Sequence, residues 1–324
     1  MVGMTKSLRI YSGRANPQLA ERIVKLMGCE LGNIKLTTFD NGEIYARYLE
    51  SVRGCDVFII QSVIGSDFGS PNDSLMELLI MADAAKRASA RTVTAVVTHY
   101  GYSRQDKKSA SREPITAKLV ANLLTVSGID RTIAIDLHQG QIQGFFDTPV
   151  NHLTALPIFA DYFNAKGLEN VCIVSPDVGR AKAAKKLADL LDADLAIMYK
   201  TRPAHNVAEI GDVIGDVKGK TCILNDDMID TAGTISSGVS VLKSKGAAKI
   251  YVCATHGIFS GSAFERLQAA DLEEVVICDT APVPEKYQVG KIRVVSVAPL
   301  LARAVANVFN EASISEIFDP DFQL

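Results

Sequence analysis

The sequence predicts an α/β fold of two related domains, each a parallel sheet flanked by helices. Three observations carry this. Short apolar runs rich in β-branched residues alternate with longer stretches of helical apolar spacing, the pattern of βαβ units. Ala95-Val96-Val97-Thr98-His99-Tyr100-Gly101-Tyr102-Ser103 is echoed by Val252-Cys253-Ala254-Thr255-His256-Gly257-Ile258-Phe259-Ser260. The length of 324 residues suits two domains, each large enough to bury its own core.

Strand-like runs fall at 57–63, 92–98, 132–136, 171–175, 222–224, 250–254, 275–278 and 292–297. They are short and apolar with little polar alternation, as parallel strands covered on both faces require. Between them, residues 74–90, 115–126, 180–191, 235–245 and 300–310 carry helical apolar spacing. In each half a strand, a helix and a second strand run in the same order up to the echoed segment, which reads as two copies of one domain, 1–150 and 151–324. No linker rich in Gly, Pro or Ser marks the boundary.

Composition removes several classes of function. The formal net charge is −3, so no global basic field draws the chain to nucleic acid. Residues 1–6 lack the apolar stretch of a secretory signal, and no run is long enough to span a bilayer; the expectation is a cytoplasmic protein with no membrane partner. None of the six cysteines forms a C-x-x-C pair. Cys172, Cys222, Cys253 and Cys278 lie in strand-like runs and read as buried free thiols in a reducing compartment.

Ligands of open α/β sheets bind at the carboxyl ends of strands. The strongest such segment is Asn225-Asp226-Asp227-Met228-Ile229-Asp230-Thr231-Ala232-Gly233-Thr234, between a strand and a helix. Carboxylates accept hydrogen bonds from the vicinal hydroxyls of a ribose, which suits Asp226 and Asp227. A phosphate needs helix N-terminal amides, hydroxyl donors and a glycine for close approach, which suits Thr231, Gly233 and Thr234. A helix cap alone would need one such residue. The equivalent strand of the first half ends in Gln61-Ser62, so only the second half keeps the acidic site.

Other segments are open on spacing alone. Gly215-Asp216-Val217-Lys218-Gly219-Lys220-Thr221 looks like a phosphate loop but has Ile214 where a glycine belongs and leads into a strand; it reads as a turn. Asp136-Leu137-His138 and Asp177 close strands, where acids and a histidine serve either as caps or as a magnesium site. Lys200-Thr201-Arg202-Pro203-Ala204-His205-Asn206 interrupts the periodic pattern and reads as a polar loop, either solvated or closing over phosphates. Tyr102-Ser103-Arg104-Gln105-Asp106-Lys107-Lys108 is either a surface turn or a nucleotide contact.

Taken together, these residues resemble the ribose-phosphate diphosphokinase family in its phosphate-dependent class, nearly end to end. The marks are Phe39-Asp40-Asn41-Gly42-Glu43, residues 102–108, Asp136-Leu137-His138, Gln141-Ile142-Gln143-Gly144-Phe145-Phe146-Asp147, Ser175-Pro176-Asp177 and residues 226–234. The resemblance implies two phosphoribosyltransferase-like domains, the first with a degenerate sugar site and ATP contacts. It implies that Asp226, Asp230, Thr231, Ala232, Gly233 and Thr234 hold ribose 5-phosphate, and that Lys200 and Arg202 sit on a mobile catalytic loop. It places His138 and Asp177 on Mg2+, with Asp136 a weaker candidate, and Arg104 and Gln105 on ATP. Asn41, Gly42 and Glu43 would reach ATP from a neighbouring subunit of a homohexamer. The implied reaction moves a diphosphate group from ATP to ribose 5-phosphate.

Three positions depart from the family's pattern: Asn41 where Asp is common, Thr201 between Lys200 and Arg202 where Arg is common, and Arg180 after Gly179 where a second glycine is common. Two alternatives share the fold. A phosphoribosyltransferase has no need of Arg104, Gln105 or residues 141–147. A non-catalytic regulatory homologue is favoured by lost loop charges or large insertions, and neither occurs.

Overall fold

The computed structural model describes residues 6–204, 207–288 and 290–317. The chain divides into two compact units. In the first, β1 (Leu8–Ser12) leads through α1 (Pro17–Met27) to an antiparallel hairpin of β2 (Ile34–Thr38) and β3 (Ile44–Tyr48). β4 (Asp56–Gln61), α2 (Pro71–Arg87), β5 (Thr92–Val97), α3 (Thr116–Val126), β6 (Arg131–Ile135) and β7 (Val150–Leu153) follow. Then come α4 (Leu156–Lys166), β8 (Val171–Ser175), α5 (Ala181–Leu190), the antiparallel hairpin of β9 (Asp194–Ala204) and β10 (Val207–Ile214), and β11 (Thr221–Ile229). The chain continues with α6 (Gly233–Ser244), β12 (Lys249–Gly257), α7 (Ala263–Ala269), β13 (Glu274–Cys278), β14 (Ile292–Val295) and α8 (Ala298–Phe309).

The first unit holds a sheet of order β1-β4-β5-β6-β7, all parallel. The second holds β10-β9-β8-β11-β12-β13-β14, parallel apart from its edge strand β10. Both follow one order: strand, helix, hairpin, strand, helix, strand, helix, strand, strand. The α/β class expected from the sequence is therefore the class observed. Central strands are covered on both faces, which is why they read as unbroken apolar runs: every residue of β4 is buried. One core gathers Val57, Ile59, Leu78, Met81, Val93 and Ala95; the other gathers Val174, Leu224, Val239, Leu242, Val252 and Val275.

Local chemistry fixes the helix ends. Ser70 and Asp73 form a reciprocal capping box at the start of α2, with Pro71 at its first position. Several elements differ from the sequence expectation. β8 falls on the expected residues, but β11 and β12 run several residues past 224 and 254. The apolar criterion ended them too early, because parallel pairing continues from Asn225↔Cys253 to Ile229↔Gly257 through polar residues. β1, α1, β2, β3, β7, α4, α7, β9 and β10 were not anticipated. Residues 200–204, expected in a loop, have their backbone in β9. Helix α8, expected with the second half, belongs to the first unit, where it packs on α1. Among the described residues, no helix is long and apolar enough to cross a membrane.

Candidate active site

The acidic segment sits where the sheet of the second unit loses a strand. β8 pairs with β11 only from Thr221 to Leu224, so β11 continues five residues beyond the last pair. Asp226 and Asp227 lie on that overhang, inside the strand and not in the loop after it. Asp227 is buried, its amide donating to Asp226 Oδ1 at 2.8 Å. Burial, and then the neighbouring charge of Asp227, raise the Asp226 carboxyl well above the usual carboxylate range; the Arg180 cation opposes this. Arg180 Nε stands 4.0 Å from Oδ1 of each carboxylate.

From Ile229 the chain turns through Asp230, Thr231 and Ala232 into α6. Ala232 takes a left-handed conformation, φ 59°, which a side-chain-bearing residue adopts only under constraint. The constraint is visible. Ser260 N donates to Asp230 O at 3.0 Å, Ile258 N to Ile229 O at 2.9 Å, and Arg266 Nη1 to Thr231 O at 2.8 Å. Ala232 stands at the N-cap of α6 and makes no side-chain capping bond; a helix N-terminus presents amides that suit an anion. Thr231 and Thr234 are exposed beside them, with Gly233 between. The segment thus joins two carboxylates to a helix N-terminus, acceptors that suit hydroxyls next to donors that suit an anion.

Asp177 follows β8, half-buried, and its Oδ1 accepts from Arg180 N at 3.1 Å. The backbone of Lys200 and Arg202 lies in β9, where Ile210 pairs with Lys200. Their side chains are outside the described residues. The segment 215–221 is the expected turn into β11, with Gly215 at φ 109° and Gly219 at φ 70°.

The remaining expected residues belong to the first unit. His138 follows β6 after Asp136, which is buried with φ 39°. Leu137 N donates to His152 Nε2 at 2.9 Å, and the Gln143 amide lies 3.3 Å from Nδ1 of the same ring. Arg104 and Gln105 occupy a turn beyond β5; Thr116 Oγ1 donates to Gln105 Oε1 at 2.5 Å at the start of α3. Gln141 Nε2 donates to Asp106 Oδ2 at 3.3 Å, and Lys118 Nζ to Phe145 O at 2.6 Å. The two segments 102–108 and 141–147 are therefore neighbours. Asn41, Gly42 and Glu43 form the exposed tip of the β2–β3 hairpin, where Glu43 N donates to Asn41 Oδ1 at 3.1 Å and Gly42 has φ 91°.

The first unit does not repeat the acidic site. Gln61 donates to Ser74 O and Glu77 Oε1, and Ser62 to Thr280 O, so the polar groups there are spent on the fold. Two residues of the second unit, Arg180 beside the acids and Arg266 beside Thr231, and one of the first unit, His152 beside Leu137, carry no signal strong enough to be chosen from sequence. Arg180 left a trace, since a cation in the first turn of a helix opposes the helix dipole.

Comparisons with known proteins give the family. A family described as the N-terminal domain of ribose phosphate pyrophosphokinase matches residues 8–128, and one described as a phosphoribosyl synthetase-associated domain matches residues 200–319. Ribose-phosphate pyrophosphokinase from Clostridium perfringens (strain 13 / Type A) is 49% identical over 322 residues, covering 98% of this chain and 99% of that protein. This chain belongs to the ribose-phosphate pyrophosphokinase family. The same-named protein of Bacillus subtilis (strain 168) is 49% identical over 313 residues, covering 97% and 98%. Phosphoribosylpyrophosphate synthetase from Mycobacterium smegmatis superposes with a TM-score of 0.88 at 44% identity, covering 95% of this chain and 100% of that one.

Proposed function

We propose that this chain transfers the diphosphate group of ATP to the anomeric hydroxyl of ribose 5-phosphate, giving 5-phosphoribosyl 1-diphosphate and AMP for nucleotide biosynthesis. The anomeric oxygen attacks the β-phosphorus, the bond from that phosphorus to the oxygen bridging it to the α-phosphorus breaks, and AMP leaves. The observation that carries the reading is the pairing of Asp226 and Asp227 on β11 with the glycine- and threonine-bearing start of α6, in a chain whose family membership spans nearly its whole length.

Asp226 and Asp227 accept hydrogen bonds from the sugar hydroxyls. Asp230, Thr231, Ala232, Gly233 and Thr234 wrap the 5-phosphate with amides and hydroxyls. Arg104 and Gln105 contact ATP, and Asn41, Gly42 and Glu43 complete the nucleotide site of a neighbouring subunit. Such a transfer needs little covalent help, so positioning and charge stabilisation dominate. Lys200 and Arg202 neutralise charge growing on the β-phosphate and the leaving group.

Mg2+ fits the donor set. Among the described residues no three His, Cys, Asp or Glu side chains converge on a protein-only cage. Magnesium keeps several waters and is held through one or two protein groups plus substrate phosphates, so Asp177 in the second unit and His138 in the first would each serve a magnesium ion within its own unit. When bound, the ion screens phosphate charge and orients the β-phosphorus.

The shared order of elements supports two copies of one domain, the first without a sugar site. A homohexamer is supported by the apolar stripe Ile115, Leu119, Leu123 and Val126 exposed on α3. A cytoplasmic location suits six cysteines that are all free thiols, five of them buried. The test is AMP release from ATP and magnesium that depends on ribose 5-phosphate. AMP release without the sugar, or ADP in its place, overturns the reading.

A further inference from the structure

We infer that Lys118 is a positioning residue for the nucleotide end of the first unit. It sets the spacing between the segment that carries Arg104 and Gln105 and the turn that follows His138. The inference rests on the reading of Arg104 and Gln105 as ATP contacts.

The observation is a closed ring of hydrogen bonds built on the start of α3. Thr116 Oγ1 donates to Gln105 Oε1 at 2.5 Å, and Ala117 N to Gln105 O at 3.2 Å, which fastens the turn beyond β5 to the helix. One residue on, Lys118 Nζ donates to Phe145 O at 2.6 Å. Phe145 ends the 3-10 turn Gly140–Phe145, which begins just after His138. Near the start of that turn Gln141 Nε2 donates to Asp106 Oδ2 at 3.3 Å and closes the ring. Neighbouring positions of α3 therefore hold the two segments, and the two segments hold each other.

Topology makes the ring necessary. β5 and β6 pair only as far as Val97↔Ala134, so the sheet reaches neither segment and cannot set the distance between them. Burial separates the residues that hold from those left to bind. Arg104, Gln105, Lys107 and Lys108 are exposed, whereas Asp106 among them is 6% exposed and turns inward to Gln141. Lys118 is half-buried, and its amine meets the last carbonyl of the 3-10 turn, a group the turn itself cannot satisfy and one that favours a cation. Ile142 is fully buried in the core of this unit, so the turn is seated at its middle and fixed at its two ends by Gln141 and Lys118.

The test is steady-state kinetics for both substrates at saturating magnesium, with hydrogen–deuterium exchange of residues 140–146 in the nucleotide-free protein. The variants are Lys118→Met, Lys118→Arg, Gln141→Ala, Lys118→Met/Gln141→Ala and Arg104→Ala. Lys118→Met keeps the apolar stem. It is expected to raise the KM for ATP about fivefold or more, leave the KM for ribose 5-phosphate within about twofold and speed exchange across 140–146. Lys118→Arg should recover most of the loss, because a guanidinium still donates to a carbonyl. Gln141→Ala opens the same ring at an exposed residue and should raise the KM for ATP alone, which keeps the test open if Lys118→Met folds poorly. The double variant should exceed the worse single variant by no more than about twofold, as for residues that act as one unit. Unchanged KM for ATP in Lys118→Met overturns the inference, as does an equal rise in both Michaelis constants. So does a double variant whose effect is the product of the singles, or exchange that Lys118→Met leaves unaltered, the marks of a direct phosphate contact. Arg104→Ala separates the two readings: if it raises the KM for ATP while Lys118→Met does not, the inference alone fails; if it leaves that KM intact, the ATP reading fails and takes the inference with it.

Discussion

His152 Nε2 accepts a hydrogen bond from the backbone amide of Leu137 at 2.9 Å, one residue before His138. On the other side of the ring, Gln143 Nε2 lies 3.3 Å from Nδ1. β7 thereby anchors the turn that leaves β6 through the strained Asp136. His152→Ala is expected to loosen that turn and raise the magnesium concentration for half-maximal activity about tenfold, as for partners that orient metal ligands. A magnesium titration of initial rates checks this. An unshifted curve would remove His138 from the metal or His152 from its support.

Asp226 should trade stability for binding. Its carboxyl is raised by burial and by Asp227, so the folded chain binds protons more tightly there than the unfolded chain. Its contribution to stability is then fullest below the ordinary carboxylate pKa and is lost as pH rises through the raised value, leaving a destabilising charge at neutral pH. Asp226→Asn is expected to raise Tm at pH 7 by a few degrees, of the order of 1 kcal/mol, and to lose that advantage in acid. Ribose 5-phosphate binding should weaken far more than ATP binding. Thermal unfolding at pH 7 and pH 4, beside binding of each substrate, decides it; a lowered Tm at pH 7 contradicts the account.

The residues also show what a sequence discloses. β8 was legible to the residue because Val171-Cys172-Ile173-Val174-Ser175 is an isolated buried run, and buried parallel strands have a plain apolar signature. The segment 225–234 could be singled out because its chemistry is local, acids, threonines and a glycine in ten residues, but that Asp226 and Asp227 lie within β11 was not legible from it. The β9–β10 hairpin was not, because its Lys200-Thr201-Arg202-Pro203 stretch has no apolar period, and cross-strand pairing is a tertiary fact. Arg180 could be noted only as a departure. Nothing in Gly179-Arg180-Ala181 says that the guanidinium meets carboxylates nearly fifty residues later, beyond the end of a neighbouring strand.

Association is the next expectation. The β2–β3 tip carries Asn41, Gly42 and Glu43 into solvent with Phe39 exposed beside them, and Val126 on α3 is 84% exposed. Sedimentation velocity should show a hexamer. Leu119→Glu/Leu123→Glu should give smaller species with activity reduced about tenfold or more. A fully active monomer contradicts this.

Lys200→Ala should lower turnover at least about a hundredfold and change substrate affinity little, as for a charge that acts in the transition state. Lys200→Arg should restore part of the rate, since a planar fork differs from a compact ammonium. Steady-state kinetics with both substrates checks it. Raised Michaelis constants with turnover intact would make Lys200 a ground-state phosphate clamp.

The most direct measurement follows the phosphorus. Incubation with ATP, magnesium and ribose 5-phosphate, read by phosphorus NMR and nucleotide chromatography, should yield AMP and a sugar bearing a 1-diphosphate in equal amounts, with no ADP. ADP with a singly phosphorylated C1, or AMP formed at the same rate without the sugar, would contradict diphosphate transfer.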